Sequence, residues 1–231
     1  MSAQIPTDLS PLDAPHRLRT FDTPLLDSTP DAELQRLVAE ASAVSGFPIA
    51  LVSLVTNRIQ FFRAQVGLPP DLEASRATDR CTSLCQFVVA GARPLEVEDA
   101  ANHPSLPADL VERYGIRAYV GFPLRVAGQT MGSFCVIDLK PGRLEPAVVA
   151  RLGDLAQAAS ARLEELARHI APAQSEGEAR AQAAWLTVAE TQPLLSLGAR
   201  FAEGQLSLEE FQRALGALAG LSGEDARRSS T

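Results

Sequence analysis

From Phe47 to Val55 the chain reads FPIALVSLV, with one hydroxyl and no charge. An apolar run of this length belongs to a β-strand covered on both faces. The run therefore demands a sheet. Thr56-Asn57-Arg58 is a tight turn, and residues 59–66 (IQFFRAQV) pair back as a hairpin. A second hairpin signal lies further on, where residues 116–126 (IRAYVGFPLRV) and 130–139 (TMGSFCVIDL) flank Ala127-Gly128-Gln129.

Helical patterns surround the two hairpins. Thr29-Pro30-Asp31 opens a helix: Thr29 is the cap, Pro30 suits the first helical position, and Asp31 and Glu33 favour the positive end. Leu34, Leu37, Val38, Ala41 and Val44 keep helical spacing until Gly46 stops it. Residues 67–78 read as a loop with Pro69 and Pro70. Residues 81–90 read as a short apolar helix closed by Gly91, and residues 95–98 as a short strand. Residues 99–107 follow as a loop, and 108–114 as a short helix stopped by Gly115. A long helix spans residues 145–170. Its Val149, Leu152, Ala156, Ala159, Leu163, Leu166 and Ile170 form a heptad seam, suited to pairing with another helix or to lying on a sheet. The succession is an antiparallel sheet with helices packed on it, segregated to one face, an α+β architecture.

The chain divides into a loosely ordered lead-in (1–27), a main domain (28–170), a linker (171–177), and a helical hairpin with a disordered tail (178–231). Trp185 and Leu186 mark the first helix of the hairpin. In the second, Ser207 and Glu210 form a capping box, Leu206 and Phe211 a hydrophobic staple, and Leu208, Phe211, Leu215 and Leu218 one apolar stripe. A hairpin this small cannot bury its stripe alone, so it docks on its own domain or on a partner.

Composition narrows the function classes. A net charge of −7 and a pI near 5.1 disfavour nucleic acid. Three cysteines, Cys81, Cys85 and Cys135, are too few and odd in number for a disulfide framework. Residues 1–10 lack the basic and apolar regions of a secretory signal, and no run approaches membrane-spanning length. A cytoplasmic protein with reduced thiols is expected, with no membrane partner.

Spacing alone puts Cys81 and Cys85 on one helix face. They and Cys135 are either buried small hydrophobes or a redox-sensing thiol set. His103 offers a third ligand for a metal, but a fourth is missing. Arg63, Arg117 and Tyr119 fall in strands, with Arg117 and Tyr119 on one face. The arginines are either solvated or anion anchors. His16 and His169 read as exposed. No Ser-His-Asp set, carboxylate pair or glycine-rich phosphate loop emerges, so no catalytic residue, metal or cofactor is expected.

Five stretches resemble one family in order and spacing: residues 47–55, Ser83-Leu84-Cys85, Val97-Glu98-Asp99-Ala100, residues 116–124, and Gly132-Ser133-Phe134-Cys135-Val136-Ile137-Asp138. Together they resemble a GAF domain of the bacterial signalling branch, across about residues 20–170. The resemblance implies a GAF/PAS-like fold and a sensory role. Cys85, Phe87, Arg117, Tyr119 and Cys135 are then the expected ligand-binding residues, with Cys135 on a strand that lines the interior. Members of this branch commonly carry histidine where Phe87 stands, which points to a more apolar ligand or to none. The Asn-Lys-Phe-Asp-Glu signature of the cyclic-nucleotide branch is missing, as are the surroundings of a bilin-binding cysteine. No output domain of the kinase, cyclase or phosphodiesterase kinds fits residues 171–231.

The favoured expectation is a regulatory module that binds a small molecule or a protein partner. It would be a homodimer through Val149, Leu152, Ala156, Ala159, Leu163 and Leu166, with Phe211, Leu215 and Leu218 as a surface for another protein. Two alternatives stand beside it. One is a cysteine-based redox switch or a thiol enzyme like the branch that reduces free methionine sulfoxide. The other is a ligand-free scaffold for assembly.

Overall fold

The computed structural model describes residues 5–21, 23–27, 29–107, 111, 113–168, 197–198, 200–201 and 204–223. The expected linker, Ile170, His169, and the helix bearing Trp185 and Leu186 lie outside these residues.

Six strands form one antiparallel sheet in the order β3-β2-β1-β6-β5-β4. They are β1 (Ile49–Val55), β2 (Ile59–Val66), β3 (Ala77–Asp79), β4 (Leu95–Val97), β5 (Ala118–Val126) and β6 (Gln129–Asp138). Both hairpins form where turn chemistry and alternation place them. Ala127 and Gly128 take the positive φ that a tight antiparallel turn requires (49° and 74°). β1 lies between β2 and β6 and is buried at every position.

Alternation along the strands sorts side chains into two cores. Ala50, Val52, Leu54, Val120, Phe134 and Val136 face α3 (Ala32–Ser45) and α6 (Pro146–Ala167). Leu51, Val55, Phe62, Tyr119, Cys135 and Ile137 face α5 (Cys85–Gly91) and the irregular segments around it. Helices therefore cover both faces, and the expectation that they segregate to one face is corrected. The cause is the two-sided apolarity of β1 itself, which leaves neither face fit for water.

The described part of the lead-in, residues 5–21 and 23–27, is also packed rather than loose. A 3-10 turn (Ser10–Asp13) and the short helices α1 (Pro15–Leu18) and α2 (Thr23–Leu26) set Leu12, Phe21 (between the helices) and Leu25 in the cores with no exposed surface. Buried Arg17 holds this segment, donating to the carbonyls of Leu12 and, at 2.6 Å, Val55.

Asp31, not Thr29, caps α3, accepting from the Leu34 N–H at 3.0 Å. Its carboxylate also takes the Arg162 guanidinium of α6 at 2.8 Å, so one buried side chain starts α3 and ties it to α6. The heptad seam is spent inside the chain. Leu152, Ala156, Ala159 and Leu163 are buried in the core that α6 forms with β5 and α3; only Val149 and Leu166 stay half-buried. A 22-residue helix resting on a sheet needs the same apolar stripe as one resting on another helix.

The predicted loop after β2 contains α4 (Pro70–Ser75) and β3. Pro70 occupies the first turn, where its missing N–H costs nothing. The last described helix, α7 (Leu208–Gly223), docks on α4 and β3 at the sheet edge. The capping box is present: Ser207 Oγ accepts from Glu210 N at 3.2 Å, and the Glu210 carboxylate accepts from Ser207 N at 2.8 Å. The apolar stripe is only partly inward. Leu206 and Ala214 are buried and the Phe211 ring stacks on Phe201 at 4.5 Å, whereas Leu208 and Leu215 face outward; the Leu218 side chain is outside the description. No helix among the described residues is long and apolar enough to cross a membrane.

Gly132, at the centre of the sheet, lies against the β1 backbone. A Cβ there would sit 1.9 Å from the Ser53 carbonyl oxygen. Gly132→Ala should therefore destabilise the fold by about 3 kcal/mol, read from chemical denaturation midpoints at unchanged slope.

Burial pushes the Asp31 carboxyl up, but the Arg162 hydrogen bond and the Leu34 N–H outweigh it and hold its pKa below the usual carboxylate range. A pKa depressed on folding gives stability that is present above the unfolded value and lost as pH falls through the folded one. Asp31→Asn keeps the cap and removes the charge. It should cost roughly 1–2 kcal/mol at pH 7, between exposed-pair and buried-pair values. The gap to the unmodified chain should close as pH falls below about 4; denaturation curves between pH 7 and pH 3 measure it.

Candidate functional site

On the sheet face away from α3 and α6 there is a cavity of about 370 Å³. Its floor is Ile49, Leu51, Gln60, Phe62, Tyr119 and Ile137 of β1, β2, β5 and β6. The segment from Gly67 through α4 forms one wall, the start of α5 another, and Arg113 to Ile116 a third. Gly67 (φ 77°) makes the turn into the first wall; a Cβ on it would strike the Pro48 carbonyl at 2.0 Å.

A side-chain network closes the deep end. Cys85 Sγ lies 3.8 Å from Cys135 Sγ. Tyr119 Oη donates to Cys85 Sγ at 3.4 Å and lies 3.0 Å from Ser133 Oγ. Gln60 Nε2 donates to the same sulfur at 3.6 Å, and Ser83 Oγ accepts from the Cys85 N–H at 3.0 Å. The sheet register places these groups. Gly121 is opposite Cys135, and a Cβ on Gly121 would lie 2.3 Å from Tyr119 Oη. Glycine at 121 thus lets the Tyr119 ring lie along its own strand and bring the hydroxyl to the thiols.

Hydrogen bonds make the two sulfurs unequal. The Cys135 thiol, followed by the Tyr119 hydroxyl, stabilises charge on Cys85 against its burial and lowers its pKa from the ordinary thiol value. Burial and the neighbouring Cys85 raise Cys135. Burial, and then both sulfurs, raise Tyr119, which keeps its proton for donation.

Of the expected ligand-binding residues, Cys85, Tyr119 and Cys135 come together, and the first two line the cavity. Phe87 is buried in the same core, two residues along α5 from Cys85, and is not in the lining. Arg117 precedes β5, pairs with Asp99 at 2.8 Å, and is not in the lining either. The buried Arg63 is on the face covered by α3 and α6, donates to the Thr29 carbonyl at 2.8 Å, and is neither solvated nor in the cavity lining. Cys81 does not share a helix face with Cys85. Asp79 accepts its N–H and winds Arg80–Thr82 into a 3-10 turn, leaving Cys81 exposed while Cys85 is buried. Sequence reasoning missed Gln60, Thr78, Ser83 and Tyr114 as cavity residues. Gln60 had a readable signal, a polar side chain between apolar Ile59 and Phe61 at the same strand parity as Phe62.

Comparison with known proteins bears on this architecture. The family model for the GAF domain matches residues 29–171. A cyclic di-GMP phosphodiesterase of Pseudomonas aeruginosa is 36% identical over 146 residues, which cover 62% of this chain and 24% of that enzyme. Among solved structures, the GAF domain of an Acinetobacter phosphoenolpyruvate-protein phosphotransferase is 17% identical, with 70% of this chain and 92% of that one covered and a TM-score of 0.46. A free methionine-R-sulfoxide reductase of Neisseria meningitidis is 16% identical, with 73% and 97% covered and a TM-score of 0.48. The matched segment contains all six strands together with α3 and α6, and the chain belongs to the GAF domain family.

Proposed function

We propose that this chain is a sensory module that binds a small, uncharged, mostly apolar molecule between the sheet and the α4–α5 side. The cavity carries this reading. At about 370 Å³ it falls within the range of small-molecule sites, and it is walled mainly by aliphatic and aromatic carbon. Its uncharged polar lining is one amide, Gln60, the hydroxyls of Thr78, Thr82, Ser83, Tyr114 and Tyr119, and the Cys85 thiol. The Tyr114 hydroxyl is buried with no hydrogen-bond partner among the described residues, which suits it to a ligand acceptor. Asp71 and Arg113, of opposite sign, are the charged lining residues; Asp71 is half-buried and Arg113 exposed. A ligand with several phosphates would bury charge here without a buried cation to meet it. The phosphodiesterase relative is about four times longer than the shared segment, and its hydrolysis is not part of the proposal.

Occupancy has a route outward. Leu72 of α4 and Thr78 of β3 line the cavity, and both elements seat α7. A ligand that shifts either residue shifts that seat, so α7 is the output element.

The test is a thermal-shift screen of neutral molecules, coupled to native mass spectrometry of the chain purified from its own cells. A true ligand at 100 times its Kd adds about 2.7 kcal/mol, or roughly 5 °C or more in Tm. Ile116→Trp, which fills the cavity from one wall, should abolish that shift while leaving the chain folded by circular dichroism. A chain that carries no small molecule and answers to no member of the screen overturns the reading.

A further inference from the structure

The sensory reading leaves the buried thiol pair without a task, although the pair has the arrangement of a two-step oxidation site. Cys85 and Cys135 are 2% and 1% exposed, and their sulfurs are 3.8 Å apart and unbonded. The pair is also ordered with respect to the cavity: Cys85 lines it, and Cys135 stands behind on β6, outside the lining. A small molecule in the cavity therefore meets Cys85 first. Tyr119 Oη and Gln60 Nε2 both donate to the Cys85 sulfur, and stabilising its charged form in this way is what makes a thiol nucleophilic. Their donors also fit an oxygen added to that sulfur.

We infer that Cys85 and Cys135 are a peroxide-oxidisable pair, in which a small hydroperoxide entering the cavity oxidises Cys85 and Cys135 resolves it to a disulfide. In the first step the Cys85 sulfur attacks the peroxide O–O bond; one oxygen forms the S–O bond of a sulfenic acid, and the other leaves as water after taking a proton. The sulfur loses two electrons and the peroxide gains them. In the second step the Cys135 sulfur attacks the Cys85 sulfur, the S–O bond breaks and water leaves. The sum is two thiols and one hydrogen peroxide giving one disulfide and two waters. The sulfurs must close from 3.8 Å to roughly 2.05 Å, which shifts the first turn of α5 toward β6. The bond would tie α5 to the sheet and remove the Cys85 sulfur from the Tyr119 and Gln60 donors. Oxidation would thereby reshape the same cavity that the sensory reading uses, although the chemistry needs no other ligand.

Cys81, exposed on its separate turn, is removed first as Cys81→Ser. That full-length protein is treated with hydrogen peroxide, quenched, denatured and alkylated. The expected product has lost about 2 Da, takes up no alkylating agent, and regains both alkylation sites after dithiothreitol. Digestion should yield one peptide pair linked through Cys85 and Cys135. In the Cys81→Ser/Cys135→Ser protein, where no thiol is left to resolve Cys85, dimedone should label Cys85. Both thiols remaining alkylatable after peroxide, or a product linked between chains rather than within one, overturns the inference. These readings are independent of the ligand screen, so either proposal can fail without the other. If the double variant does not fold, the Cys81→Ser chain decides alone.

Discussion

Everything in this fold follows from burying the centre of the sheet on two sides. β1 has neighbours on both edges and apolar carbon on both faces, so its side chains sort by parity into two separate cores. One core is filled by two long helices with regular stripes. The other is filled by a short helix, turns and loops, which cannot match a pleated surface as closely. The cavity is the remainder of that mismatch, and its position is set by where regular structure runs out on the second face. Gly132 makes the arrangement tight, because it lets β6 approach the β1 backbone more closely than any Cβ allows.

The two faces also divide the work of holding the molecule together. On the helix face, Asp31 caps α3 and binds Arg162 of α6, so the orientation of the two covering helices is fixed by charge as well as by carbon. Among the described residues no such ion pair spans the floor of the cavity face, and the polar contacts there are among hydroxyls, an amide and thiols. The floor contacts can therefore rearrange without separating opposite charges. Two elements that line the cavity, α4 and β3, are those on which α7 rests.

Both hairpins were legible because their signals are local. Turn residues sit between alternating runs, and residues 59–66 emerge as β2 without adjustment. The start of α3 moved by two residues because several capping residues compete there, and the tertiary partner Arg162 favours Asp31. The heptad seam was ambiguous for a physical reason: a stripe records that one side of a helix is dry, not what dries it. The helix read across Cys81 and Cys85 failed because Asp79 and Ser83 each capture a backbone N–H and divide the run into a 3-10 turn and α5. Aspartate, threonine and serine around Cys81 were the available warning. At the site, the convergence of Tyr119, Cys85 and Cys135 depends on the register between β5 and β6 and on the glycine that clears the ring's path, and no spacing in one segment contains either. Gln60 was visible, but its meaning required knowing which face carried the cavity.

The deep network is an expensive way to fill space. A fully buried tyrosine hydroxyl must find partners, and Tyr119 finds Ser133 and the Cys85 sulfur. Phenylalanine with two aliphatic side chains would occupy a similar volume with no polar group to satisfy, and buried polar clusters commonly gain little or no stability over such a core. Packing therefore does not account for the choice of residues. What the cluster adds is chemical: a sulfur bordering the cavity, donors aimed at it, and a second sulfur at van der Waals distance behind it. The fold sets two buried sulfurs at the deep end of a cavity of small-molecule size, Cys85 in the lining and Cys135 behind it, and in the proposed reading the cavity and the thiol pair are parts of one site.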